Sequence, residues 1–369
     1  MKRGLLILAV AVAVGCSANA PELLSEKDYT GEVEGKQINL YTLHAGDIWM
    51  QVSNYGGHVI SLYTPDRNGK YNDIVLGRPN LQEYIDCPGE RFLGANVGIV
   101  ANRIRGGKFT LDGTTYTCPQ NNGENTLHGG LIGIDRDVWD VVEVNDSVIV
   151  FSYLKPDRQD GFPGNVSIIT TYALTSQNEF KISYSATTDA PTVINLSHHS
   201  FFNLKGEGEG DILDHQMQIF AEGFIPVRED LIPFGGISAV EGTPLDFKQP
   251  HAIGERLGEE SIQLRNGNGY DHCWVLSKTC GDLAAVVYEP TTGRKMEVST
   301  DQIGMQFYCG NFLDGTQCGK NGKPFIFRSA IVLETQKFPD SPNQPQFPSC
   351  ELRPGETYTH WCTYKFSAE

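Results

Sequence analysis

Val166-Ser167-Ile168-Ile169-Thr170-Thr171-Tyr172-Ala173 and, a few residues on, Phe180-Lys181-Ile182-Ser183-Tyr184-Ser185-Ala186 are runs of β-branched and aromatic residues. Such residues fit a pleated, half-buried surface, so both runs read as strands. Similar runs lie at Ile38-Asn39-Leu40-Tyr41, Val148-Ile149-Val150-Phe151, Ala284 to Tyr288 and Tyr358 to Phe366. Between the runs stand hairpin-type punctuators such as Asp112-Gly113, Asn121-Asn122-Gly123, Thr292-Gly293 and Asn321-Gly322, and 40 Gly with 19 Pro supply the remaining turns. Only Pro79 to Asp86 and Ala252 to Glu259 read as brief helices. Many turn-bounded strands with almost no helical period predict an all-β chain, a large antiparallel β-sandwich whose loops converge on one concave face. No repeat or low-complexity linker divides residues 31–369, which read as a single domain.

The N-terminus is different in kind. Met1-Lys2-Arg3 precedes an apolar run from Gly4 to Gly15 that is too short to span a bilayer, the pattern of an export signal over residues 1–15. Small residues lead into Cys16, which reads as the lipidated first residue of a mature lipoprotein, periplasmic or cell-surface. Residues 16–30 then read as a polar tether. A net charge of -16 disfavours nucleic acid, anionic membrane surfaces and phosphorylated substrates, and is indifferent to neutral sugars. Membrane contact is expected only through the lipid. The eight cysteines after Cys16 are an even number in an oxidising compartment, and Cys309/Cys318 or Cys273/Cys280 could pair, although buried free thiols are the plainer reading. No zinc-type spacing of cysteine and histidine is present, and with no heptad pattern a monomer is expected.

Four stretches place a histidine or carboxylate among Gly, Asn and aromatic residues: Asn125-Thr126-Leu127-His128-Gly129-Gly130, Asn195 to Leu204 with His198 and His199, Gly269-Tyr270-Asp271-His272-Cys273-Trp274, and Ile331-Val332-Leu333-Glu334-Thr335-Gln336. A fifth, Gly98 to Ile104, adds Asn102 and Arg103. Singly, each has a structural reading: Asp271 as a turn carboxylate, Glu334 as a strand terminus, each histidine as a hydrogen-bonded loop residue. Together they offer two imidazoles, two carboxylates and a guanidinium beside Phe and Trp. That set suits a neutral sugar, whose C–H faces stack on rings and whose hydroxyls need paired donors and acceptors. Opening a hemiacetal needs a base for the anomeric hydroxyl and an acid for the ring oxygen, which a carboxylate and an imidazolium supply.

These stretches, with Leu333-Glu334-Thr335-Gln336-Lys337-Phe338-Pro339-Asp340-Ser341-Pro342-Asn343, Gly161-Phe162-Pro163-Gly164, Gln306-Phe307-Tyr308 and Gly310-Asn311-Phe312, resemble the signatures of the aldose 1-epimerase (galactose mutarotase) family, in order and over nearly the whole mature chain. The resemblance implies a β-supersandwich that interconverts the α and β anomers of free hexoses such as glucose and galactose. It implies no organic cofactor or redox partner and leaves calcium open. Residue by residue, it puts the general base at Glu334, the general acid at His199, an assisting histidine near the ring oxygen at His128, a hydroxyl-holding carboxylate at Asp271 and a positioning pair at Asn102 and Arg103. Two positions depart from the family pattern: His198 stands where asparagine is usual, and Ile303 where proline is common, a change expected to loosen the site wall. A non-catalytic sugar-binding protein would not need the matched acid and base. A glycoside hydrolase using Asp271 and Glu334 would leave the histidines idle. A sugar-phosphate epimerase of related fold would have only Arg103 and Arg105 for its phosphate.

Overall fold

The computed structural model describes residues 20–369, so the export signal expected over 1–15 and the lipidation expected at Cys16 lie outside the described residues. The fold is all-β, and the strands pair antiparallel into three main sheets. Nine strands form the largest, in the order Asp140–Val144, Val148–Lys155, Val166–Leu174, Glu179–Thr188, Tyr358–Ala368, Arg294–Thr300, Leu283–Tyr288, Gln216–Ile219 and His251–Ala252. A four-stranded sheet comprises Leu40–Ala45, Ile48–Ser53, Val59–Pro65 and Tyr71–Asp73. A five-stranded one runs Ser238–Ala239, Ala221–Ile225, Asp271–Leu276, Gly304–Tyr308 and Val332–Gln336.

The side-chain period of two decides which faces are covered. In Val166–Leu174 the residues Val166, Ile168, Thr170, Tyr172 and Leu174 are buried while Ser167 and Ile169 are exposed. The next strand continues the pattern, with Tyr172 opposite Ile182 and Thr170 opposite Tyr184. These inward side chains merge with Leu43 and Met50 of the four-stranded sheet and Trp274 and Phe307 of the five-stranded one into one contiguous core.

A short ribbon, Ala95–Val97 paired with Ser197–His199, lies inside this frame. Tyr172 and Tyr184, both from the large sheet, donate their hydroxyls to Asn96 Oδ1 at 2.8 and 2.9 Å. On the other side Ser197 Oγ donates to the Thr335 carbonyl, 2.9 Å. The ribbon is thereby pinned between the large sheet and the edge of the five-stranded sheet. Because successive strand residues face opposite ways, His198 turns into the core, 2.6 Å from Ser200 Oγ and edge-on to Tyr172 and Phe180, while His199 turns outward.

Several expectations need correction. The tether expected over 16–30 is shorter, because chain from Leu24 on is docked: Leu24 N–H donates to Gln51 Oε1, and Tyr29, 2% exposed, donates its hydroxyl to the Arg78 carbonyl. The run Ile38 to Tyr41 is not one strand, since Asn39 N–H leaves the ladder for Asn54 Oδ1 and separates Lys36–Ile38 from Leu40–Ala45. The first helix spans Leu81–Asp86, starting where Asn80 Oδ1 accepts from Glu83 N–H. The second expected helix, Ala252 to Glu259, is a series of turns. There the Ile253 and Gly254 N–H groups bond to the His215 and Leu213 carbonyls, and Arg256 is drawn to the Asp246 carbonyl and the Phe247 ring. Helix forms instead at Ile262–Asn266, after Ser261. All eight cysteines among the described residues are free thiols, so neither Cys309/Cys318 nor Cys273/Cys280 is paired. Ile303 packs beside Ile225, Cys273, Phe338 and Phe347 in a satellite core and does not itself line the site.

Burial holds the His198 imidazole neutral, its pKa pushed down to about 3, with the neighbouring His199 and His58 adding to the effect. The unfolded chain therefore takes up a proton below about pH 6.5 that the folded chain refuses, so this residue removes stability as pH falls. His198→Asn is expected to reduce the slope of unfolding free energy against pH between about pH 6 and 4.5 by about 1.36 kcal/mol per unit. Urea titrations at several pH values measure it, and an unchanged slope would show that His198 protonates freely in the fold.

Candidate active site

Three adjacent strands of the five-stranded sheet supply one wall. In the register Gln306 stands opposite Glu334 and Cys273, and Tyr308 opposite Asp271, so Asp271, Gln306, Tyr308 and Glu334 share one face. Gln306 Nε2 donates to Asp271 Oδ1 at 2.6 Å and fixes that carboxylate. The ribbon residue His199 approaches from the side, its Nε2 3.6 Å from Glu334 Oε1.

The opposite wall is a loop pair. Arg103–Ile104 pairs with Thr126–Leu127, and just outside the pairing Asn102 and His128 both take the left-handed conformation, φ 62° and 48°. Reciprocal bonds hold them there: His128 N–H donates to the Asn102 carbonyl at 3.0 Å, and Asn102 N–H donates to His128 Nδ1 at 3.2 Å. Since Nδ1 accepts, the neutral ring carries its hydrogen on Nε2. Gly129 follows because nothing larger fits: a Cβ there would meet the Gly98 carbonyl oxygen at 1.8 Å. Arg103 donates from Nε to Asn122 Oδ1 and sets a second nitrogen 3.9 Å from Asp271 Oδ2. Asp340, fully buried, ties this loop to the chain that follows Glu334: its N–H donates to the Arg103 carbonyl and its Oδ1 accepts from Arg105 N–H. The Phe338-Pro339-Asp340-Ser341 part of the long motif is thus a brace.

Between the walls lies an open cleft lined by Glu90, Phe92, Asn102, Arg103, Leu127, His128, His199, Asp271, Tyr308, Phe312 and Glu334. All six residues singled out in the sequence as substrate or acid/base groups line it. Arg105 is exposed and does not, which leaves Arg103 as the cleft's one guanidinium, too little for a phosphate clamp. Five lining residues escape the sequence reading as site residues. Leu127, Tyr308 and Phe312 lie inside quoted motif stretches. Glu90 and Phe92 lie in a turn with no pattern to mark them.

Glu334 is 2% exposed, and its Oε2 has no hydrogen-bond partner. Burial, then the negative charge of Asp271, push its pKa well above the ordinary carboxylate range. His199 is pushed down to about 3 by burial, and His128 well below its usual value by burial, His199 and Arg103. Burial is the largest cause of all three shifts, because the cleft disfavours isolated charge. His128, His199 and Glu334 are also the only group among the described residues whose histidine, cysteine or carboxylate ligand atoms could together hold a metal ion, all within 4.8 Å of one another. The separations of 3.6 and 3.8 Å from Glu334 to the two imidazoles exceed hydrogen-bond length and leave room for a substrate oxygen to bridge them.

Comparison with known proteins gives a consistent result. The family model described as aldose 1-epimerase matches residues 39–365. The galactose mutarotase of Rattus norvegicus is 40% identical over 334 residues, covering 90% of this chain and 95% of the relative. The aldose 1-epimerase of Escherichia coli (strain K12) is 36% identical over 343 residues, 91% and 97% of the two chains. Among solved structures, a GalM/aldose epimerase homologue from C. elegans superposes with a TM-score of 0.83 at 28% identity, covering 90% of this chain and 99% of the other. The galactose 1-epimerase of Lactobacillus acidophilus does so at 0.80 and 26%, covering 92% and 97%.

Proposed function

Because this chain belongs to the aldose 1-epimerase family and is an isomerase of that activity, we propose that its cleft opens and recloses free hexoses such as galactose and glucose through two proton transfers, one from the C1 hydroxyl to Glu334 and one from His199 to the ring oxygen. The observation that carries the assignment is a buried carboxylate and a buried imidazole 3.6 Å apart, with a free carboxylate oxygen and no competing partner.

Ring opening starts from the ion-paired tautomer, Glu334 as carboxylate and His199 as imidazolium. Glu334 removes the proton from the C1 hydroxyl, the C1–O5 bond breaks as the carbonyl forms, and His199 delivers its proton to O5. The products are the open-chain aldehyde, a neutral carboxyl and a neutral imidazole. That is the charge state which burial favours at both residues, so desolvation of the pair drives the opening step. Rotation about C1–C2 presents the other face of the aldehyde, and the same groups run in reverse. His128, with its hydrogen on Nε2, can donate to the ring oxygen, while Asp271, Arg103 and Asn102 hold hydroxyls. Outside the described residues, the export signal and Cys16 support a lipid-anchored catalyst on the periplasmic or cell-surface side.

Polarimetry on freshly dissolved α-D-galactose and α-D-glucose checks the roles. Glu334→Gln is expected to lower kcat about 10²- to 10⁴-fold, and the wild-type acid limb of kcat/KM is expected below the ordinary imidazole range of about 6.5, since the second proton must enter a group pushed down to about 3. A fully active Glu334→Gln variant would remove the base from the mechanism, and an acid limb at the ordinary imidazole value would show that His199 is not desolvated. The anchor has its own check. Cells fed labelled palmitate are expected to label the full-length protein but not Cys16→Ser, and equal labelling would refute the anchor.

A further inference from the structure

Glu90 is a third carboxylate in the cleft, and the proton relay does not use it. Its placement is built. Arg78, 1% exposed, grips the turn that carries it, donating to the carbonyls of Pro88 and Glu90 at 3.2 and 2.6 Å and to Gln317 Oε1 at 3.1 Å. Gln317 Oε1 also accepts from Glu90 N–H at 3.0 Å.

The nearby cations are committed elsewhere. Arg78 spends its bonds on those backbone and amide oxygens. Arg91 turns away to Asp135, at 2.6 and 2.8 Å, and to the carbonyls of Gly130 and Ile132. Within the cleft Arg103 is matched to Asp271. The Glu90 carboxylate accepts one backbone N–H, from Phe92 at 3.3 Å, and forms no ion pair among the described residues. Since Glu334 and His199 share one proton and are together uncharged, Glu90 and Asp271 face one guanidinium, and that guanidinium is matched to Asp271, so Glu90 is left without an ion-pair partner in the cleft.

We propose that Glu90 is a specificity residue that pairs with a cationic substituent on the sugar, so that this isomerase also takes aldohexoses carrying a protonated amine, the amino sugars. The assignment rests on the reading that Glu334 and His199 open a hexose in this cleft. Arg78 acts on Glu90 only from a distance, so an ammonium group supplies the direct ion pair that Glu90 lacks, and a charge-assisted hydrogen bond is stronger than one to a neutral hydroxyl. The chemistry at C1 and O5 is unchanged.

The test is polarimetry of D-galactosamine and D-glucosamine hydrochlorides beside D-galactose, with the wild type, Glu90→Gln and Glu90→Asp. The readout is the ratio of kcat/KM for amino sugar to that for galactose, well below and well above the titration of an α-amino-like group at about 7.7–8.0. Of the groups facing the substrate, Asp271, Glu334, Arg103, His128 and His199 bear on both sugars, so their own titration divides out of the ratio, whereas Glu90 bears on the amine and is isolated by Glu90→Gln. Below that range the wild-type ratio is expected to exceed one, to fall about tenfold in Glu90→Gln and to be largely retained in Glu90→Asp. It is also expected to fall in the wild type above the range, where the amine is neutral. Galactose turnover without amino-sugar turnover, or a ratio indifferent to Glu90→Gln, would overturn the assignment. Failure to accelerate any of the sugars would overturn the Glu334 and His199 roles, and with them the Glu90 proposal.

Discussion

An acid and a base excluded from water 3.6 Å apart are what the rest of this molecule is arranged around. Burial costs each its charge, so the pair is most comfortable with the proton on the carboxyl and none on the imidazole. A closed sugar ring needs the opposite arrangement, and the two states hold the same number of protons. In the proposed mechanism the cleft stores its driving force as desolvation, and each ring opening or closing moves the pair between its charged and neutral forms.

Such a pair is useful only if it cannot relax into direct contact. The scaffold prevents this by fixing the two groups from different sheets. Glu334 is held by pairing with Gln306 across a strand ladder. His199 rides a ribbon whose Asn96 is gripped by Tyr172 and Tyr184 of the large sheet. The Arg103 loop is braced by Asp340 against the chain leaving Glu334. The sheets thus hold two walls and the ribbon between them at fixed spacing.

The sandwich class was legible because its strands alternate, or run apolar, between strong turn signals, as in Val166–Leu174 and Glu179–Thr188. The residues that line the cleft were legible through their motif stretches: His128 and His199 stand among Gly, Asn or aromatic residues, whereas Glu334 lies in an ordinary apolar strand, Val332–Gln336, and only the long motif that follows it marked it. Where the reading failed, tertiary contacts had overridden local pattern: Arg256 is pulled onto Phe247 where a helix was expected, and Asn54 captures Asn39 N–H and divides a strand. Leu24 and Tyr29 looked like tether because two docked side chains carry no period. Glu90 was invisible for a similar reason, since what aims it is Arg78 and Gln317, the latter more than two hundred residues away in sequence.

The most direct test is the location of the proton in the resting enzyme, read by infrared difference spectroscopy of wild type against Glu334→Gln at about pH 6, where a free glutamate, of pKa about 4.3, is ionised, together with nitrogen NMR of His199. A protonated-carboxyl band lost in the variant, with His199 neutral, is the expected result. An ionised Glu334 beside an imidazolium His199 in the empty cleft would contradict the claim that desolvation drives the proton transfer.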